Sequence, residues 1–151
     1  MNILVDADAC PVKGIIEKIA KEYALSVYMF TDTSHELYSE YSKVITVSKA
    51  PDAVDFALMN HATKGDIIVT QDYGVAAMAL GKGAYAIHQS GLCYTNDNID
   101  RMLFERHLAK EGRRRKGHAF HGKGPKKRTS EDDVRFEDSF RNLILTIMKG
   151  R

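Results

Sequence analysis

The sequence predicts a three-layer α/β/α sandwich with a mostly parallel central sheet and a C-terminal helical extension. Short, continuous apolar runs such as Ile3-Leu4-Val5 are typical of strands that are covered on both faces. Segments with helical spacing of apolar residues separate these runs, which is the pattern of parallel strands joined by right-handed crossovers. At 151 residues the chain can bury its own core, so residues 1–151 are expected to form a single domain.

The first half of the chain supplies three strands and two helices. Apolar residues at helical spacing predict a helix over residues 12–24, and Pro11 suits its first turn. Asp52 is a candidate N-cap for a second helix over 53–62, because an Asp side chain can accept from free N–H groups there. The strands are expected at 3–5, 25–30 and 43–47.

The alternation continues to residue 87, after which the pattern becomes helical. Residues 112–128 are basic and glycine-rich, and they are expected to form a flexible loop. Ser130 is a candidate cap for the C-terminal helix, whose first turn is acidic. The strands and helices of this half are expected at 67–70, 72–82, 85–87, 98–111 and 130–150.

The net charge of +2 hides an asymmetry along the chain. Residues 112–128 carry eight cations and no acid, so the rest of the chain has a net charge of −6. Such a run can bind phosphates by Coulomb attraction and counterion release, although a solvated loop is the alternative. The candidate nucleic-acid-binding residues are Arg113, Arg114, Arg115, Lys116, Lys123, Lys126, Lys127 and Arg128.

Four aspartates are placed where they could meet at the carboxyl edge of the sheet. Asp6 and Asp8 follow the first strand, and Asp72 follows the fourth. Asp55, in the first turn of the middle helix, can point toward the same edge. Carboxylates brought together repel one another, and such a cluster is stable mainly when a hard divalent cation neutralises its charge. The sequence therefore predicts a metal site at this edge.

The aspartates also have structural alternatives. Asp8 and Asp72 could cap the helices that follow them, and Asp72 could cap a helix and bind a metal at once. Asp52 is expected to be structural. Asp66 precedes its strand and should lie at the opposite edge, without a role in the site.

Four stretches in register resemble the bacterial YaiI/YqxD family, namely VDADACPVK, APDAVDFAL, GDIIVTQDYGVAAMAL and GPKKRTSEDDVRF. This uncharacterised family is placed in the PIN-like nuclease superfamily, whose members have a Rossmann-like sandwich. The resemblance implies metal-assisted hydrolysis of phosphodiester bonds in RNA or DNA, with Mg²⁺ or Mn²⁺ as cofactor. It assigns the ligand role to Asp6, Asp55 and Asp72, with Asp8 as an auxiliary catalytic residue. Asp55 replaces the glutamate of many PIN domains, and its shorter side chain is expected to reach the ion through a bridging water.

Two other functions fit parts of the sequence. Asp6-Ala7-Asp8 after the first strand is close to the signature of haloacid-dehalogenase-like phosphatases, in which Asp6 would be the nucleophile and Asp8 the general acid. Cys10 departs from that signature. The third possibility is a non-catalytic RNA-binding module with the same fold.

Partners and location follow from the remaining composition. The sequence has no long apolar run, so no membrane association is expected. The two cysteines, Cys10 and Cys93, are far apart and lack CxxC spacing, which favours reduced thiols in a cytoplasmic protein. The amphipathic C-terminal helix could mediate a homodimer.

Overall fold

The computed structural model of the protein describes residues 1–116 and 127–150, and for residues 113–116 it describes the backbone alone. Within these ranges the chain forms a six-stranded sheet and five helices, which confirms the predicted α/β class. The strands are β1 Ile3–Asp6, β2 Val27–Asp32, β3 Lys43–Val47, β4 Ile67–Val69, β5 Tyr85–Ile87 and β6 Cys93–Tyr94. The helices are α1 Lys13–Glu22, α2 Ala53–His61, α3 Tyr73–Gly81, α4 Asn96–Lys116 and α5 Ser130–Lys149.

The strand order β3-β2-β1-β4-β5-β6 places β1 at the centre of the sheet. Strands β1 to β5 are parallel, and β6 runs antiparallel to β5. The chain leaves β1 toward β2 and β3 on one side, and returns to β4 and β5 on the other. In open α/β sheets, such a reversal of strand order opens a crevice beyond the carboxyl ends of the strands. Here the crevice lies between β1 and β4, directly beyond Asp6.

Both faces of the sheet are covered by helices, which confirms the three-layer arrangement. Successive side chains of a strand point to opposite faces. Ile3 and Val5 join the core formed with α1 and α5, whereas Leu4 joins the core formed with α2, α3 and α4. This double burial explains why β1 is apolar at consecutive positions rather than at alternate ones.

The largest differences from expectation concern β2, β6 and the end of α4. Strand β2 begins and ends two residues late, because residues 24–26 turn after α1 and Thr31 still pairs with Thr46 of β3. Strand β6 was not predicted, since two residues are too few to give a periodic signal. Helix α4 continues through Lys116, so the first part of the predicted loop 112–128 is helical. Arg and Lys are good helix formers, and one glycine does not outweigh them. Residues 117–126 of that predicted loop lie outside the described residues.

Two predicted helix caps differ from expectation. Asp52 is the N-cap residue of α2, as predicted, but it has a left-handed backbone with φ of 63°, and its side chain accepts no capping hydrogen bond. Thr129, rather than Ser130, is the N-cap of α5, and its N–H donates to the Asp132 carboxylate at 2.8 Å. Ser130 is the first helical residue.

The described helices include none that is both long and apolar enough to cross a membrane.

The turn between β5 and β6 gives a first test of the packing. Gly91 has φ of +95°, and a Cβ there would lie 2.9 Å from the carbonyl oxygen of Arg135 on α5. Gly91→Ala is therefore expected to lower the free energy of unfolding by about 1–3 kcal/mol. Gly14→Ala is the matched control, because a Cβ at Gly14 meets nothing within 4 Å inside a helix. Urea unfolding should find the control neutral or slightly stabilised, and equal stability of the two variants would contradict the packing of this turn on α5.

Candidate functional site

Three of the four predicted aspartates meet in one cleft at the carboxyl edge of the sheet. Asp6 is the last residue of β1, Asp8 follows it in the loop, and Asp72 lies between β4 and α3. All three line a cleft of about 310 Å³, together with Gln71, Tyr73 and Arg106. The position is the one that the strand ends predicted.

The buried hydroxyl of Thr70 ties two of these aspartates together. Its Oγ1 donates to Asp6 Oδ2 at 3.1 Å and accepts from the N–H of Asp72 at 3.0 Å. Because Thr70 comes directly after β4, the strand itself sets the spacing between the end of β1 and the start of α3. The sequence pattern predicts Thr70 only as the last residue of a strand and does not indicate its bonds to Asp6 and Asp72.

The environment of Asp6 opposes its negative charge. Burial is the main reason that the pKa of Asp6 rises from 3.8 to about 6, and the charges of Asp55, Asp8 and Asp72 add to the rise. The hydrogen bond from Thr70 acts in the opposite direction. Asp6 is therefore the carboxylate on which the repulsion of the whole cluster converges.

Asp72 is the N-cap of α3, as its structural alternative predicted. Asp72 Oδ1 accepts from the N–H groups of Gly74 at 2.8 Å and Val75 at 3.2 Å. A Cβ at position 74 would lie 3.1 Å from that oxygen, so the glycine keeps room for the cap. Both bonds use Oδ1, and no side chain or backbone group of the described residues bonds to Oδ2. Capping and metal binding are thus compatible in this geometry.

Asp55 faces a second cleft, and Asp72 lines both this cleft and the first. This cleft, also of about 310 Å³, is lined by Asp52, Asp55, Phe56, Asp72, Gly74, Val75 and Met78. Burial raises the pKa of Asp55, and the charges of Asp72 and Asp52 add to the effect. The fourth predicted aspartate therefore interacts electrostatically with both Asp72 and Asp6.

Asp8 is held by a network that the sequence did not reveal. Thr31 Oγ1 donates to Asp8 Oδ1 at 2.5 Å, and Nδ1 of His35 lies 3.3 Å from the same oxygen. His35 Nδ1 also lies 3.1 Å from Asp32 Oδ1, which accepts from the Ser34 N–H at 2.8 Å. Asp8 does not cap α1, whose N-cap is Val12. The expected end of β2 at residue 30 concealed Asp32, which lies at the same edge two residues later.

The spacing of the carboxylates limits how a cation could bind. Among the described residues, the one trio with ligand atoms all within 4.8 Å of one another is Asp8, Asp32 and His35. Asp6, Asp55 and Asp72 are not such a trio, so direct contact of all three with one ion would require side-chain movement. Mg²⁺ usually keeps several waters and takes only one or two carboxylates directly. The predicted ligands therefore fit a hydrated hard cation, and their role stays a prediction.

Helix α4 places the positively charged side chain of Arg106 at the acidic cleft. Ile99, Met102 and Leu103 pack its inner side against the core, and Arg106 follows one turn later on the same side. Arg106 Nη1 lies 3.9 Å from Asp72 Oδ1, beyond hydrogen-bonding distance, and the side chain is largely exposed. Its guanidinium donors can therefore turn to an anionic ligand.

The structure describes the predicted nucleic-acid-binding residues to different extents. The backbone of residues 113–116 forms the last turn of α4, whereas Lys123 and Lys126 lie outside the described residues. Lys127 is exposed. Arg128 donates to Asp133 Oδ1 at 2.7 Å and to the carbonyl oxygen of Gln89 at 3.0 Å. Arg128 thus anchors the start of α5 beside the strand ends, and phosphate binding by this set stays a prediction.

Asp66 lies at the opposite edge, as expected. It is 3% exposed and accepts hydrogen bonds from the N–H groups of Asn2 and Thr63, each at 2.9 Å. Its carboxylate therefore satisfies backbone donors and is separate from the cleft.

The fold and this edge define an α/β protein with an acidic cleft at the switch point of a parallel sheet. Residues 4–146 match the family described as "Uncharacterized BCR, YaiI/YqxD family", and the chain belongs to this family. It is similar to a UPF0178 protein of Lachnoclostridium phytofermentans, with 66% identity over 147 residues, covering 97% of this chain and 99% of that protein. A UPF0178 protein of Clostridium acetobutylicum is 61% identical over 145 residues, covering 96% of this chain and 97% of that protein. No solved structure gives a significant match.

Proposed function

We propose that the protein is a metal-dependent nuclease that hydrolyses phosphodiester bonds in RNA or DNA, with Mg²⁺ or Mn²⁺ as cofactor. The observation that carries the proposal is that Asp6, Asp8, Asp55 and Asp72 line two clefts at the strand ends, with Asp72 common to both. The raised pKa of Asp6 supports it, because a cation would remove the repulsion that the other three carboxylates exert. The resemblance to the YaiI/YqxD family implies the same chemistry, through the placement of that family in the PIN-like superfamily.

Asp6, Asp55 and Asp72 would hold the cation, in part through water. When bound, Mg²⁺ or Mn²⁺ supplies a Lewis acid and lowers the pKa of a coordinated water. Asp8 lines the same cleft, where its carboxylate can accept a hydrogen bond from the attacking water, and Thr31 and His35 orient it.

The substrate would meet positive charge on one side of this centre. Arg106 lines the cleft and can donate to a phosphate oxygen, as guanidinium groups commonly do. The backbone of α4 then continues to Lys116, so the basic residues 113–116 lie on the helix that carries Arg106. Contacts of this kind hold the nucleic-acid backbone and carry no sequence information.

The test is a cleavage assay on single- and double-stranded RNA and DNA with Mg²⁺ and with Mn²⁺. Asp72→Asn is expected to lower the cleavage rate by about 100-fold or more, because it removes one ligand charge. Asn is also a good N-cap, so α3 should stay intact. Asp138→Asn, an exposed neutralisation on α5, is the control and should cleave like the wild type.

Three outcomes would contradict either the nuclease or the role assigned to Asp72 in it. The first is a wild type that cuts none of these substrates with either metal yet binds RNA in a salt-sensitive way, which favours the non-catalytic module. The second is an Asp72→Asn variant that cleaves at the wild-type rate. The third is phosphate trapped on Asp6, which would favour the phosphatase, since Asp6 and Asp8 share one cleft as a nucleophile and a general acid would.

A further inference from the structure

The second cleft combines acidic and exposed apolar side chains. Phe56 is 65% exposed and Met78 is 46% exposed, and both line the cleft beside Asp55 and Asp72. Phe56 directly follows Asp55 on α2, whereas Met78 comes from α3. Two large apolar groups are thus left in solvent next to the proposed metal site, where the packing of the core does not require them.

We propose that Phe56 is a stacking platform for an unpaired nucleobase of the substrate, an inference that rests on the proposed function. Every base presents a π-face, so an exposed aromatic ring can hold a base without reading its identity. The cleft volume of about 310 Å³ lies at the small end of ligand sites, which suits one planar group. Asp72 borders both clefts, so the backbone attached to that base can pass directly into the acidic cleft.

Charge decides which part of a nucleotide this cleft can hold. Asp52, Asp55 and Asp72 would repel a phosphate here. A base is neutral, and its N–H groups can donate to carboxylate oxygens at the rim. The phosphates belong in the other cleft, where Arg106 provides a positive charge.

The apolar patch is too small for a protein partner of ordinary affinity. A buried aromatic side chain covers about 150–250 Å², whereas each side of a stable protein interface buries about 800 Å². Phe56 and Met78 together fall well short of that area.

Stacking on Phe56 requires a base with a free face. Bases inside a duplex are covered on both faces by their neighbours, so the platform selects single strands or unpaired ends. The inference therefore narrows the substrate of the proposed nuclease to nucleic acid that is unpaired at the nucleotide beside the metal site.

The experiment measures binding of a mixed-sequence single-stranded oligonucleotide that carries one 2-aminopurine and cleavage-resistant phosphorothioate linkages, with Mn²⁺ present to neutralise the carboxylates. Phe56→Ala and Phe56→Leu are expected to weaken binding on the order of tenfold and to lose the stacking quench of 2-aminopurine, whereas Phe56→Tyr retains both. The slope of affinity against salt should be unchanged, because stacking releases no counterions. Leu145→Ala, which removes an exposed apolar side chain on α5, is the control.

The outcomes separate this inference from the nuclease itself. Phe56-dependent stacking by a wild type that never cleaves would uphold the platform and refute the nuclease. Metal-dependent cleavage with equal binding by all Phe56 variants would refute the platform and uphold the nuclease. Wild-type affinity of Phe56→Leu, no binding of the oligonucleotide at all, or a change of molecular mass in Phe56→Ala by light scattering would also overturn the platform.

Discussion

Replacing Asp6 with Asn is expected to stabilise the metal-free protein by up to about 3 kcal/mol at neutral pH. The pKa of Asp6 is about 6 in the folded chain against an ordinary 3.8, and each unit corresponds to about 1.4 kcal/mol. Burial and three neighbouring carboxylates make the ionised form costly, and Asn has no such charge. The Asn side chain can still accept the hydrogen bond from Thr70, so the variant should keep its fold.

The pH dependence of this gain has a defined sign. Well below pH 3.8, Asp6 is protonated in both the folded and the unfolded chain, so the substitution should change little. As the pH rises toward 6, the unfolded chain loses this proton first, and the wild type becomes less stable. Above about pH 6 the penalty is complete. The stability difference between Asp6→Asn and the wild type should therefore grow from pH 4 to a plateau above pH 6.

Urea unfolding at several pH values in EDTA measures this difference. Asp138→Asn supplies the control, because it removes an exposed charge on α5 and should give a small, flat difference. A wild type that is more stable than Asp6→Asn at neutral pH would show that the acidic cluster is not a source of strain.

Adding Mn²⁺ to the same titration locates the cation. An ion at Asp6 should stabilise the wild type and leave Asp6→Asn unchanged, because binding to the folded state alone raises its stability. Asp32→Asn should keep the Mn²⁺ effect. If Asp32→Asn loses the effect and Asp6→Asn keeps it, the ion binds at Asp8, Asp32 and His35, where one imidazole and two carboxylates lie closest.

The two edges of the sheet carry aspartates with opposite effects on stability. Asp66 satisfies backbone donors at the opposite edge, whereas Asp6 carries a charge that folding makes unfavourable. A site that lowers stability in the absence of its ligand is typical of functional residues. This contrast supports assigning the function to the carboxyl edge.

The central strands and the acidic edge were predictable because they follow from local rules. A strand covered on both faces is apolar throughout, which made β1 and β4 visible, and parallel strands bring their ends to one edge. The positions of Asp6 and Asp72 follow from these two rules. Resemblance to the YaiI/YqxD family then implied metal-dependent phosphodiester hydrolysis, which stays a prediction. Asp55 was predicted to reach this edge from its position on a helix.

The residues that were missed depend on contacts between distant segments. Arg106 continues the apolar side of α4, and nothing local shows that this turn reaches Asp72. His35 lies in an irregular segment, and its partners Asp8 and Asp32 become neighbours only because β1 and β2 pair. Asp52 lies at the N-cap of α2 as expected, but its backbone is left-handed and its side chain accepts no capping hydrogen bond.

The C-terminal helix is expected to be essential for stability, and Phe140 carries the largest share of that effect. Phe136 and Phe140 are both 0% exposed, and their rings stack with centroids 5.3 Å apart. They join Ile144 and the α1 residues in the core beneath the sheet. Phe140→Ala removes a buried ring and leaves a cavity, so the free energy of unfolding should fall by about 3–5 kcal/mol. This is a large part of the about 5–15 kcal/mol that is typical of a domain.

Phe140→Leu is the matched variant for this test, because it keeps a large apolar side chain and should cost clearly less than the alanine in urea unfolding. The consequence extends to the site. Ser139 on α5 donates to the carbonyl oxygen of Gly91, and Arg128 before α5 donates to that of Gln89. Loosening α5 would therefore release the turn after β5 together with the end of the basic segment. If Phe140→Ala lowers the free energy of unfolding by less than about 1 kcal/mol, α5 does not contribute substantially to the core, and the structure of the acidic edge does not depend on it.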